Sequence, residues 1–202
     1  MFTDGADTSC LRQGDILKGI PFPLIKLDQV VILGKPASAA GGSFSPITEE
    51  TSLGNWHTAH VPIHFSYCAI VTQCCDLALN PQGKMFKPSF TISRLIVIPD
   101  RVRKDAAKLA SLKANKNPSK EEGPGYIQHF YIEPHALLGG TDWVVDYNQT
   151  MTIRSADYQT VLANKILQLD DRTRVKFKLK LGICMARLTD EEVEANLEDP
   201  WN

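Results

Sequence analysis

The chain has 202 residues, 43% of them hydrophobic, which suits one domain with a sizeable core and argues against disorder. Its 22 Lys and Arg stand against 23 Asp and Glu, a net charge of -1, so there is no whole-protein pull toward nucleic acid or anionic membrane. No apolar run approaches the roughly 20 residues that span a bilayer, and the acidic start Met1 to Asp7 does not read as a signal peptide. A cytoplasmic protein without a membrane partner is expected.

Residues 1–10 read as a flexible end of the single domain, 1–202. Ile16 to Ile25 is apolar but broken by Pro21 and Pro23, which predicts an edge or bulged strand. Gln29 to Leu33 is a short apolar run, and 34–55, rich in Gly, Ser, Ala, Pro and Thr, predicts a long loop. Trp56 to Phe65 alternates, and Tyr67 to Thr72 reads as a buried strand ending at Gln73-Cys74-Cys75-Asp76. Asn80-Pro81-Gln82-Gly83 is turn chemistry, and Phe90 to Ile98 is the strongest strand signal. Residues 100–125 predict a basic helical insertion. Its helix runs from Arg101 to Lys116, is capped by Asp100 and stopped at Asn117-Pro118, with Val102, Ala106, Leu109 and Leu112 as its apolar stripe. Tyr126 to Ile132, Trp143 to Tyr147 and Met151 to Arg154 predict three strands, the last two turned by Asn148-Gln149 into a hairpin. Residues 170–198 predict C-terminal helices. The first is capped by Asp170 or Asp171, with Val175, Leu179, Ile183 and Ala186 as its stripe, although Val175 to Leu181 also alternates like a strand. Thr189-Asp190-Glu191-Glu192 is a capping box.

The five cysteines, Cys10, Cys68, Cys74, Cys75 and Cys184, are odd in number and read as reduced thiols rather than a disulfide framework. Cys74-Cys75-Asp76 at a strand end admits three chemistries. In the first, a thiolate nucleophile is set up by a histidine base (His64, His129 or His135) and oriented by Asp76 or Asp15. In the second, His57, His60 and His64 join Cys68, Cys74 and Cys75 as zinc ligands, although no Cys-x-x-Cys pair is present. In the third, the cysteines pack as small hydrophobes, Asp76 caps the following turn, and no cofactor is needed. Two basic helices, one carrying Arg101, Arg103, Lys104, Lys108, Lys113 and Lys116 and the other Arg172, Arg174, Lys176, Lys178, Lys180 and Arg187, would form a phosphate-binding surface if they lay on one side.

Gly14-Asp15-Ile16, then Ile70-Val71-Thr72-Gln73-Cys74-Cys75-Asp76-Leu77, then Leu95-Ile96-Val97-Ile98-Pro99 resemble a diffuse group of bacterial proteins. These have a Gly-Asp-Ile start and a strand ending in Ser/Thr-Gln-x-Cys-Asp-Leu. Phe130 to Pro134, Asp146 and an Arg-bearing C-terminal helix ending at Arg187 continue the likeness. The Gly-Asp-Ile start and following strands also resemble the PemK/MazF toxins, SH3-like barrels that cleave RNA. These resemblances imply an α+β domain: a small, partly open SH3-like barrel with a helical insertion and C-terminal helices. They imply a binding or accessory protein of a bacterial stress or phage-defence system, toxin–antitoxin systems included, that engages nucleic acid or a protein partner. The alternative is an enzyme, either a MazF-like endoribonuclease or a cysteine-dependent hydrolase, using Cys75, Asp76, Asp15 and His129.

Overall fold

The computed structural model describes residues 1–23, 31–32, 59–60, 62–115 and 127–186. The loop at 34–55, His57, the link at 120–125, Asn117-Pro118 and the capping box at Thr189 lie outside them. The chain divides into two compact units, Pro21–Ser66 and the remainder. In the smaller unit, β2 (Val31–Ile32) pairs antiparallel with β3 (Ala59–His60).

The larger unit is α+β, built on a six-stranded antiparallel sheet. Its strands are β1 (Ile16–Pro23), β4 (Ile63–Ile70), β5 (Ser89–Val97), β6 (His129–Ile132), β7 (Trp143–Arg154) and β8 (Lys165–Leu167), in the order β6-β7-β5-β4-β1-β8. The ends of β1 and β4 belong to the smaller unit. The helices are α1 (Asp100–Arg103), α2 (Ala106–Lys113), α3 (Tyr158–Leu162) and α4 (Asp171–Ala186). Among the described residues no helix is long and apolar enough to cross a membrane.

Alternation along β6 and β7 sends successive side chains to opposite faces. Phe130, Ile132, Val145 and Tyr147 enter one cluster, which α4 completes with Phe177, Leu181 and Cys184. Phe177 meets Phe130 and Tyr147 edge-on, at 5.0 and 5.5 Å between ring centres. Tyr131 and Val144 enter a second cluster with Ile98, Val102 and Leu112 of the α1–α2 segment. The two basic helical segments therefore pack on opposite faces of the sheet. The condition for one joint phosphate-binding surface is not met.

Four expectations about elements change. The helix expected from Arg101 to Lys116 breaks into α1 and α2, because Asp105 turns its carboxylate to the N–H of Lys108 and caps a new start. The expected hairpin at Asn148-Gln149 is a bulge inside one 12-residue strand, since both halves pair with β5: Ser93 faces Thr150 and the next residue, Arg94, faces Asp146. The Asp146 carboxylate accepts from Asn148 N and Gln149 Nε2, which holds the looped-out residues. The first of the expected C-terminal helices is present, capped by Asp170, which accepts from the N–H and hydroxyl of Thr173. It buries Phe177, Lys180, Leu181 and Cys184, however, while Val175 and Leu179 face out. Residues 1–10, expected as a loose end, run beside the end of β8: Phe2 bridges to Leu169, and Thr3 N donates to Gln168 O at 3.0 Å.

Candidate functional site

The Gly14-Asp15 turn and the end of β4 meet. Gly14 N donates to Ile70 O at 2.8 Å and Ile70 N to Asp15 O at 3.0 Å, two residues against one. Gly14 has φ of +87°, the conformation that a glycine bulge requires. A Cβ there would also come within 2.7 Å of Leu169 Cδ1. The bulge swings Asp15 inward, where its carboxylate is wholly buried.

Lys165 of β8, fully enclosed, places Nζ 2.7 Å from Asp15 Oδ2. The same ammonium donates to Cys10 O at 3.1 Å and Gln168 Oε1 at 3.0 Å, so its three protons are used. Asp15 Oδ2 also accepts from Arg12 N at 2.7 Å. Asp15 Oδ1 has no hydrogen-bond partner. Burial pushes the carboxyl above its usual range, against the pull of Lys165 and Arg12.

After β4 the chain turns through Gln73 to Leu77, held by Asp76 N and Leu77 N donating to Gln73 O. The turn separates its two thiols. Cys74 is half-buried against the Gly14 turn, and its sulfur accepts from Gln13 N at 3.4 Å. Cys75 is exposed, with its sulfur 3.7 Å from Gln73 Oε1.

Two hollows flank this turn, both walled by α4. The first, about 550 Å³, is lined by Gln13, Thr72, Gln73, Asp76 and Thr91, facing Lys178, Leu181, Gly182 and Met185. The second, about 530 Å³, brings Arg12, Arg174 and Lys178 around Cys10 and Cys74. Arg12 is 2.9 Å from Asp7 and Arg174 is 2.6 Å from Asp171, while Lys178 has no ion-pair partner among the described residues. Hydrogen bonds from Ser9 hold the Asp7 carboxyl down at about 2.

The other sequence-predicted residues lie elsewhere. No histidine lines either hollow among the described residues. His129 is on β6, its Nε2 3.9 Å from Asp146 Oδ1, and burial lowers its pKa. His64 is in the smaller unit, its Nδ1 2.9 Å from Ser66 Oγ. Cys68 is fully buried and its thiol is pushed up to about 12 by that burial, so it is inert as nucleophile or ligand. None of the five cysteines forms a disulfide, and among the described residues no three His, Cys, Asp or Glu side chains gather to hold a metal ion. Arg103 donates to Ile98 O and lies 3.8 Å from Asp100, and Lys108 lies 2.7 Å from Asp105. Arg101, Lys104, Arg172 and Lys176 are exposed.

Sequence reasoning missed Gln13, Arg12 and Lys165. Arg12 and Gln13 immediately precede the Gly-Asp word and were open to being read with it. Lys178 was legible only as one of several basic residues of the C-terminal helix, and Lys165 carries no local signal at all. No family model matches the chain, and a search of curated proteins gives no match.

Proposed function

We infer that the protein is a binding protein that engages the phosphates of a nucleic acid at the second hollow. One observation carries this: cationic side chains from two distant segments, Arg12 and the pair Arg174 and Lys178, converge on one concave surface. The exposed Arg172 and Lys176 extend that charge along α4. Clustered cations that release counterions from a phosphate backbone give salt-dependent binding even on a protein of near-zero net charge. Service in a bacterial stress or phage-defence system, and an SH3-like reading of the sheet, belong to this proposal through the resemblance.

Anisotropy with a fluorescent single-stranded RNA, titrated across salt, tests it. Lys178→Glu should weaken binding roughly tenfold and lower the salt slope by about one. Lys104→Glu, on the opposite face of the sheet, should change neither. Equal effects from both, or no salt dependence in the wild type, would dismiss the phosphate site and turn the search to a protein partner.

A thiol enzyme is the second reading, and one observation favours it. The Cys74 sulfur accepts an N–H at the wall of a cationic hollow, the kind of surroundings in which nucleophilic thiols sit. In this reading the nucleophile is Cys74 rather than Cys75, and Asp15 and His129 stay outside the reaction. Iodoacetamide labelling at pH 7, mapped by mass spectrometry, should modify Cys74 faster than the more exposed Cys75. Cys75 labelled as fast as Cys74, or faster, removes the enzyme reading.

A further inference from the structure

Two features of the first hollow have no explanation in the packing of the fold. Gln13 is only 3% exposed, and its Nε2 donates to Val71 O at 2.7 Å. Its Oε1 is buried with no hydrogen-bond partner, alone in this respect among the described lining residues. Such an orphan acceptor is a cost that a donor from outside the chain would remove.

The second feature is Gly182, deep in the 16-residue α4, where glycine is a poor helix former. It lines the hollow, and a Cβ built on it would meet no described atom within 4 Å. Among the described residues no contact demands the missing side chain. A bare backbone of this kind admits the close approach of a flat group.

The remaining walls specify the group's chemistry. The Asp76 carboxylate and Gln13 Oε1 are acceptors, so they select adjacent N–H donors. Lys178 supplies a cation and selects an anion. Leu181 and Met185 flank Gly182 with apolar surface suited to a ring face.

We propose that this hollow binds a guanine mononucleotide. The base lies over Gly182 and gives its ring N–H and amino protons to Asp76 and Gln13, while the phosphate meets Lys178. Guanine presents two neighbouring N–H donors on one edge, which matches a pair of acceptors. The site lies beyond the phosphate-backbone contact proposed above and shares only Lys178 with it, so either can fail without the other.

The test is calorimetry on the full chain with GMP and, as the phosphate-only probe, ribose 5-phosphate. GMP should bind saturably and roughly tenfold or more tighter than ribose 5-phosphate. Gly182→Leu should abolish the GMP preference, while its thermal midpoint without ligand stays at or above that of the wild type. Asp76→Asn, which replaces one acceptor oxygen by a donor, should weaken GMP and leave ribose 5-phosphate unchanged. GMP binding no tighter than ribose 5-phosphate overturns the proposal, as does GMP binding that survives intact in both variants.

Discussion

Lys165→Met should destabilise the fold by about 3–5 kcal/mol, the cost of stranding one member of a buried ion pair. Both partners are sealed from water, and the ammonium makes three hydrogen bonds that methionine cannot. Left behind, Asp15 would keep Arg12 N as its one donor, with Oδ1 already unpartnered. The pH dependence has a definite sign. Burial raises the folded pKa of Asp15, so the native state binds the proton more tightly than the unfolded chain and stability from this group declines as pH rises through that value. Removing the lysine raises the value further, and the penalty in Lys165→Met should therefore be larger at pH 7 than at pH 5. The double variant Asp15→Asn/Lys165→Met, which has no charge to strand, should recover most of the loss. Urea denaturation of the three variants checks all of this. A single-variant loss under about 1 kcal/mol, or strict additivity in the double, would mean the pair is not coupled as its geometry says.

That pair also shows why the site was only half legible. The words Gly14-Asp15 and Gln73 to Leu77 stand out because glycine bulges and strand ends leave local marks, and the structure does bring them together through Ile70. What Asp15 does there depends on Lys165, 150 residues further along in a three-residue strand too short for any periodicity to show. A carboxylate in a sequence looks the same whether it will face a substrate or a buried ammonium. The histidines fail for the same reason: alternation could place His129 on a strand, but nothing local said that Asp146, and not a thiol, would be its neighbour. Of the fold, the strand at Ser89–Val97 and the helix at Asp171–Ala186 are legible because each carries a sustained pattern with a cap or turn at its border. The bulge at 147–149 is not, since Asn-Gln at a strand interruption reads as a turn until both halves are seen to share β5 as a neighbour.

The face of α4 was misread for a reason that carries its own test. Two stripes run along that helix, Val175-Leu179-Ile183 and Phe177-Lys180-Leu181-Cys184. Hydropathy alone prefers the first because the second contains a lysine. The sheet supplies the deciding force: Phe130 and Tyr147 each make a T-shaped ring contact with Phe177, and Lys180 is carried into the core with it, 1% exposed. Among the described residues no carboxylate pairs with its ammonium. The nearest influences are the thiol of Cys184 on the same helix and the imidazole of His129 on β6. Burial lowers its pKa from 10.5 to about 8, a cost of roughly 3 kcal/mol while the group is charged. Here the unfolded chain holds the proton more tightly than the native state, so the cost is full below pH 8 and fades as pH rises toward 10.5. Lys180→Met keeps the length of the side chain and drops the charge. It should stabilise the protein by about 1–3 kcal/mol at pH 7, with an advantage over wild type that shrinks steadily between pH 8 and 10.5. Paired denaturation curves across that window read the difference directly, free of the tyrosines and other groups that titrate in both proteins. A variant less stable than wild type at pH 7, or an advantage indifferent to pH, would show that the ammonium reaches water or a partner and that α4 tolerates Lys180 without strain.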